Sequence, residues 1–328
     1  MNESSKNQVQ ALNQDIFRVE HISKKFKLEA GAFARSDKLV YAVNDVSFSI
    51  KRGETYGLVG ESGCGKTTTA RMLIGMYTPD SGSILYTPAN IADMAESCAA
   101  SENAPSALQK SREETTGSLQ SLTISDLKGK ALKAYREKVK YIFQDPAKSL
   151  NPRMSVYDVL TTGLKYSAMW KGEKDARQKA VQIIEEVGLT AEDLEKRPAE
   201  FSGGQRQRIS IARSLIMNPD FIICDEVVSA LDVSIQAQIL NLLSKIRRER
   251  NLSMLFITHD LKVACYFCDR IGVMYKGSLV EEGKASEIYK NAQNDYTKKL
   301  FAIQHGSLLS FQNLLMKKEE LIVTIKTL

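Results

Sequence analysis

The chain has 328 residues, 43% of them hydrophobic and 26% charged, with 45 Lys+Arg against 39 Asp+Glu for a formal net charge of +6. That length suits one large α/β domain with appendages, and so modest a positive surplus, with no basic block, argues against a duplex-binding protein. No run approaches the roughly 18–20 apolar residues that cross a bilayer, and the five scattered cysteines do not form the even set of a secreted disulfide framework.

The N-terminal stretch "MNESSKNQVQALNQDIF" is polar and lacks the apolar core of a secretory signal, so a soluble, cytoplasmic chain is expected, with residues 1–15 as a disordered lead-in. Alternating apolar residues predict strands over 16–20, 40–50 and 55–60. Next comes "LVGESGCGKTTTARML", residues 58–73, in which glycines and a lysine separate an apolar run from the helical spacing of Ala70, Leu73, Ile74 and Met76. It fits G-x-x-x-x-G-K-[ST] as Gly60, Gly65, Lys66 and Thr67. In such a loop the backbone N–H groups turn inward around phosphates and the following helix presents its positive end to them. Gly60, Glu61, Ser62, Gly63, Cys64, Gly65, Lys66, Thr67 and Thr68 are therefore the expected triphosphate cradle. Lys66 is placed to reach the β- and γ-phosphates and Thr67 to help hold Mg²⁺.

Residues 87–130 are rich in Ser, Ala, Thr and Glu and poor in large apolar residues, which predicts a mobile insertion. A strand "KVKYIFQ" (138–144) and a helical region over about 154–197 follow. In "FSGGQRQRISIARSL" (201–215), Ser202, Gly203 and Gly204 make a second open-backbone turn at a helix start, again a place for an anion. "FIICDE" ends an apolar strand on Asp225 and Glu226, where a parallel sheet presents its ligand crevice. Asp225 is placed to order Mg²⁺ through water and Glu226 to polarise an attacking water, help worth roughly 10²–10⁴ in rate. A helix over 234–250 and a strand over 254–258 complete an alternation that predicts a mostly parallel sheet covered on both faces. The pair Cys265 and Cys268 reads as packed thiols, since no second pair or His cluster accompanies it. The absence of an internal repeat excludes a duplicated tandem ATPase. The tail, 291–328, reads as a short amphipathic helix or a frayed end.

The phosphate loop together with "FSGGQRQRISIARSL" resembles the ATP-binding cassette (ABC) ATPases, over about residues 16–290. The resemblance implies a P-loop NTPase fold: α/β, with a mixed, mostly parallel sheet core and an inserted helical subdomain at about 150–205. It also implies a working dimer, in which Ser202, Gly203, Gly204 and Gln205 of one subunit close over nucleotide held by the Lys66 loop of the other, with ATP and Mg²⁺ as cofactors. "YIFQDP" then assigns Gln144 to Mg²⁺ or the attacking water, "SALD" sends Asp232 across the dimer, and "ITHD" puts His259 on the γ-phosphate. The implied catalytic set is Glu226, His259, Gln144 and Lys66, and the metal set Thr67, Gln144 and Asp225. Adenine is expected to stack on Phe26 in "SKKF" or, as second candidate, Tyr41 in "LVYAV".

"FQDPAKSLNPRMSVYDVL" and "CDEVVSALDVSIQAQILNLL" look very like the ATPase subunits of oligopeptide and dipeptide permeases, a group that includes nickel and glutathione importers. The implied partners are a second ATPase subunit, identical or homologous, two integral membrane permease subunits docking on the helical region, and indirectly an extracellular solute-binding protein. No nucleic acid is implied, and the implied place is the cytoplasmic face of the cell membrane. A soluble ABC protein acting on nucleic acid or ribosomes is the distant alternative, against which the absence of repeats and of a long coiled coil counts. The chain departs from the group in three ways: Val227 stands where a proline is usual, the 87–130 insertion is long, and no cysteine follows Cys268, so no iron-sulfur cluster is assigned.

Overall fold

The computed structural model describes residues 15–28, 38–88 and 121–302. Strands β1 (Asp15–Leu28), β2 (Lys38–Lys51), β4 (Ser81–Tyr86) and β5 (Leu122–Thr123) form an antiparallel sheet in the order β2-β1-β4-β5. A second sheet has the order β10-β9-β3-β8-β7-β6, from β3 (Thr55–Val59), β6 (Val139–Ile142), β7 (Phe221–Asp225), β8 (Ser253–Thr258), β9 (Arg270–Tyr275) and β10 (Ser278–Lys284). Its pairings are parallel except β9 with β10, so it is mixed and mostly parallel as expected.

Side chains of a strand alternate between faces, and this chain uses both faces of the larger sheet. Ile222 and Cys224 of β7 and Met254 and Phe256 of β8 enter one core. There they meet α4 (Val156–Lys165), α5 (Glu173–Glu186), α6 (Gly203–Leu215), α7 (Val233–Arg250) and α8 (Leu261–Phe267). Phe221, Ile223, Leu255 and Ile257 enter the other core, with the antiparallel sheet, α1 (Lys66–Leu73) and α2 (Gly129–Lys138), while the one-turn α3 (Pro146–Ser149) follows β6. Near-continuous apolar strands are the consequence of this double burial.

Several expected boundaries move. The strands expected at 16–20 and 40–50 extend to 15–28 and 38–51, because the outer half of β1, polar at Lys24, Lys25 and Lys27, and the exposed start of β2 are held by the ladder between them, from Lys24↔Val43 to Leu28↔Lys38, rather than by burial. The expected insertion narrows at both ends. Thr87 is buried, and Leu122, Ile124 and Leu127 pack into the second core before α2 begins; residues 89–120 lie outside the described residues, as do Cys98 and the lead-in 1–14. The tail is not frayed at its start, since Thr297 and Phe301 are buried; residues 303–328 lie outside the described residues.

Phe17 joins the two sheets. It is fully buried, with its ring centroid 5.2 Å from that of Tyr86 in its own sheet and 4.6 Å from that of Phe221 in the other. Phe17→Ala is expected to lower unfolding stability by about 3–5 kcal/mol, the usual cost of emptying a buried aromatic site, read as a lower urea midpoint by circular dichroism.

Candidate active site

Parallel pairing brings distant residues to one edge. Val59 pairs with Thr258, Asp225 with Ile257, and Ile142 with Cys224, so the C-terminal ends of β3, β8, β7 and β6 line up. Gly60, His259, Glu226 and Gln144 follow those ends within two residues, where open α/β sheets place their ligands.

After β3 the chain turns through positive φ at Gly60 (148°), Gly63 (80°) and Gly65 (111°) and enters α1. A Cβ on Gly65 would collide with the Ala42 carbonyl and one on Gly60 with the Met274 carbonyl, so these two turns require glycine. Glu61, Ser62 and Gly63 are exposed, and Thr67 and Thr68 are half-buried. The Lys66 ammonium is buried, donating to the Gly60 and Glu61 carbonyls at 2.7 and 2.8 Å. Among the described residues no carboxylate lies within ion-pair distance of it. A buried cation balanced by carbonyl dipoles alone is short of negative charge, which a triphosphate supplies.

The Thr67 hydroxyl donates to Asp225 Oδ1 at 3.2 Å, and the Tyr141 hydroxyl donates to Oδ2 at 2.5 Å. Burial pushes the Asp225 carboxyl above its ordinary value, and these two bonds pull it partly back. A cavity of about 440 Å³ beside them is lined by Thr67, Arg71, Gln144 and Asp225. Among the described residues no group of three or more His, Cys, Asp or Glu gathers as a metal cage. A hydroxyl and one carboxylate beside a phosphate loop fit Mg²⁺, a hard ion usually held by one or two carboxylates plus substrate phosphates.

Glu226 links two further groups. Its Oε2 accepts from Gln144 Nε2 at 2.8 Å, and its Oε1 lies 3.3 Å from His259 Nδ1. Lys66, Thr67, Gln144, Asp225, Glu226 and His259 thus converge. Val227 is buried beside them and adds no polar group.

The glycine turn at 202–205 stays apart from this group. Ser202 caps α6, its hydroxyl accepting the Gln205 N–H at 3.3 Å while the Gln205 side chain accepts the Ser202 N–H at 2.9 Å. Gly203 and Gly204 lie against Leu231 and Ile235, which places the turn beside Asp232 at the head of α7. Phe26 and Tyr41 sit on adjacent rungs of the β1–β2 ladder, Phe26↔Val40 and Lys25↔Tyr41. The Phe26 ring meets Tyr77 edge-on at 5.5 Å. Tyr41 is 50% exposed under the Lys25 ammonium, and the next carbonyl in the chain, that of Ala42, abuts Gly65.

Tyr141 escapes the sequence reading although it stands in "YIFQDP". The available signal was strand alternation, which separates its face of β6 from that of Ile142. Cys268 is buried and Cys265 packs beside the same core, where burial pushes the Cys265 thiol up to about 12.

Known proteins share this architecture and sequence. A profile of the ABC transporter family matches residues 43–229. The oligopeptide transport ATP-binding protein OppF of Bacillus subtilis is 42% identical over 291 residues, covering 89% of this chain and 83% of that protein. The oligopeptide transport ATP-binding protein AmiF of Streptococcus pneumoniae is 41% identical over 271 residues, 83% of this chain and 78% of that one. Among solved structures, the dimeric ATP-binding cassette MJ0796 bound to ADP and Pi superposes with TM-score 0.62 at 24% identity, over 82% of this chain and 98% of that one. The cassette cbiO1 of Clostridium perfringens, part of an ABC transporter complex, gives 0.63 at 23%, over 92% and 99%; at such identity these two speak for the fold alone. With its phosphate loop, its strand-end acidic pair and this breadth of sequence similarity, the chain belongs to the ABC transporter family.

Proposed function

We propose that this chain is the ATP-binding and ATP-hydrolysing subunit of an importer of short peptides. One observation carries this: Lys66, Thr67, Gln144, Asp225, Glu226 and His259 meet at one sheet edge in a chain 42% identical, over 89% of its length, to an oligopeptide transport ATP-binding protein.

The 60–68 loop would hold the ATP phosphates, with Lys66 turning to them from its two carbonyls, and Phe26 or, as second candidate, Tyr41 would take the adenine ring. Thr67, Asp225 and Gln144 would hold Mg²⁺, which when bound neutralises charge on the phosphates. Glu226 accepts a proton from the attacking water, and Gln144 and His259 fix the direction of its carboxylate. His259 also faces the γ-phosphate. Ser202, Gly203, Gly204 and Gln205, with Asp232 beside them, serve the nucleotide of a second ATPase subunit. What supports this reading is that Ser202 and Gln205 bond to each other within their own chain.

No helix of the described residues is long and apolar enough to cross a membrane; in this reading partner permease subunits form the membrane passage, with this chain on their cytoplasmic face. A cavity of about 410 Å³ between β6 and the helices α4 and α6 supports that assignment. Its wall combines Tyr141, Phe143, Leu160 and Met217 with Lys140, whose ammonium burial pulls down to about 8. An apolar groove with a few polar groups suits a short amphipathic segment of a permease. An extracellular solute-binding protein delivers the peptide to that permease.

With the permease subunits reconstituted in vesicles, short peptides and their binding protein are expected to stimulate ATP turnover. Stimulation by nickel complexes or glutathione, with none by peptides, would reassign the solute. Glu226→Gln is expected to keep ATP affinity and lower turnover by about 10²–10⁴, measured by phosphate release beside equilibrium ATP binding; turnover near wild type would remove Glu226 as base.

Asp225 yields a pH prediction whose sign is fixed by burial. Its folded pKa is raised, so the unfolded chain ionises first as pH rises and stability is lost between the unfolded and the raised folded value. Asp225→Asn removes that loss. The variant is expected to melt above wild type at neutral pH, the gap closing as pH falls below the carboxylate range, while Mg²⁺-dependent hydrolysis disappears; differential scanning fluorimetry across pH checks this.

A further inference from the structure

The phosphate loop is braced from outside by a segment that the proposed chemistry does not use. Within β10, the Glu281 carboxylate accepts the N–H groups of two residues that follow the strand, Gln293 at 2.6 Å and Asn294 at 3.2 Å. The Asn294 side chain accepts the Tyr296 N–H at 2.9 Å and its carbonyl accepts the Lys298 N–H at 3.0 Å, which starts a helical turn. Thr297 and Phe301 anchor that turn in the protein interior.

This seating aims Tyr296 at the loop. Its ring packs on Tyr275 at the end of β9, with centroids 4.2 Å apart, and its hydroxyl accepts the Glu61 N–H at 3.3 Å. The β9–β10 turn adds a bond of the same kind, Gly277 N–H to the Cys64 carbonyl at 2.9 Å. The Glu61 N–H and the Gly60 carbonyl belong to one planar peptide unit. That carbonyl takes the Lys66 ammonium at 2.7 Å. Fixing the N–H side of the plane therefore fixes the carbonyl side, and with it the resting place of the buried cation. Burial pushes the Tyr296 phenol above its ordinary value, the Glu61 N–H bond opposing this, so the group is a neutral hydroxyl at physiological pH.

We propose that Tyr296 is a positioning residue of the nucleotide site: by setting the peptide plane between Gly60 and Glu61 it presets Lys66, and so tunes affinity for the triphosphate from the C-terminal segment. This rests on the 60–68 loop being the triphosphate site proposed above. The residue touches neither phosphate nor attacking water, so affinity should respond and the chemical step should not.

Tyr296→Phe keeps the ring against Tyr275 and removes the hydroxyl. Titrated with a fluorescent ATP analogue, it is expected to bind about 3- to 10-fold more weakly, as for loss of one hydrogen bond, with KM for ATP raised alike and kcat and thermal midpoint at wild type. Glu281→Ala, which frees the two anchoring N–H groups, should shift affinity in the same direction. Asp295→Ala, on the exposed side of the same turn, should behave as wild type. Wild-type affinity in both Tyr296→Phe and Glu281→Ala would overturn the inference. So would a joint fall in kcat and thermal midpoint with affinity intact. Failure of the wild-type chain itself to bind the analogue would instead remove the site reading on which the inference rests.

Discussion

At the end of β7, Glu226 takes a left-handed backbone conformation (φ 49°) while its N–H donates to the Ile257 carbonyl of β8 at 2.9 Å. For a residue with a side chain that conformation costs on the order of 1 kcal/mol, and the parallel ladder holds it in place. The turn divides two adjacent carboxylates between two tasks. Asp225, still in the strand, faces Thr67 and Tyr141; Glu226, past the turn, faces Gln144 and His259. A regular extended strand would send successive side chains to opposite faces, and the two could not serve one site. Register between β3, β8 and β7 matters for the same reason, since a one-residue slip would turn Asp225 to the opposite face, away from Thr67 and Tyr141.

What could be read from the sequence follows from how local each feature is. The phosphate loop is contiguous, and its glycines answer to nearby steric needs, so its residues were legible without a fold. Asp225 and Glu226 were legible because an apolar strand ends there beneath a phosphate loop. Tyr141 and Tyr296 were not, because each earns its place through a partner 84 or 235 residues away. The antiparallel sheet was only half legible. The outer half of β1 pairs with β2 through backbone and carries the polar side chains Lys24, Lys25 and Lys27, so hydrophobic alternation stops before the strand does. The same limit applies to residues 121–127, where Leu122, Ile124 and Leu127 are too sparse to stand out yet fill the second core.

Within one chain the site is one-sided. Lys66, Thr67 and the strand-end acids gather at the sheet edge, whereas the Ser202 turn, also a helix start, is bonded locally beside Asp232. In the proposed function the two helix starts serve nucleotide across a pair of subunits, and closure of that pair is how nucleotide binding reaches the permease. The decisive measurement is a structure of the assembled transporter with an ATP analogue and Mg²⁺. The account predicts Ser202 within hydrogen-bonding distance of the γ-phosphate held by the partner ATPase's phosphate loop. A closed, nucleotide-bound pair with Ser202 in solvent, remote from either nucleotide, would contradict it.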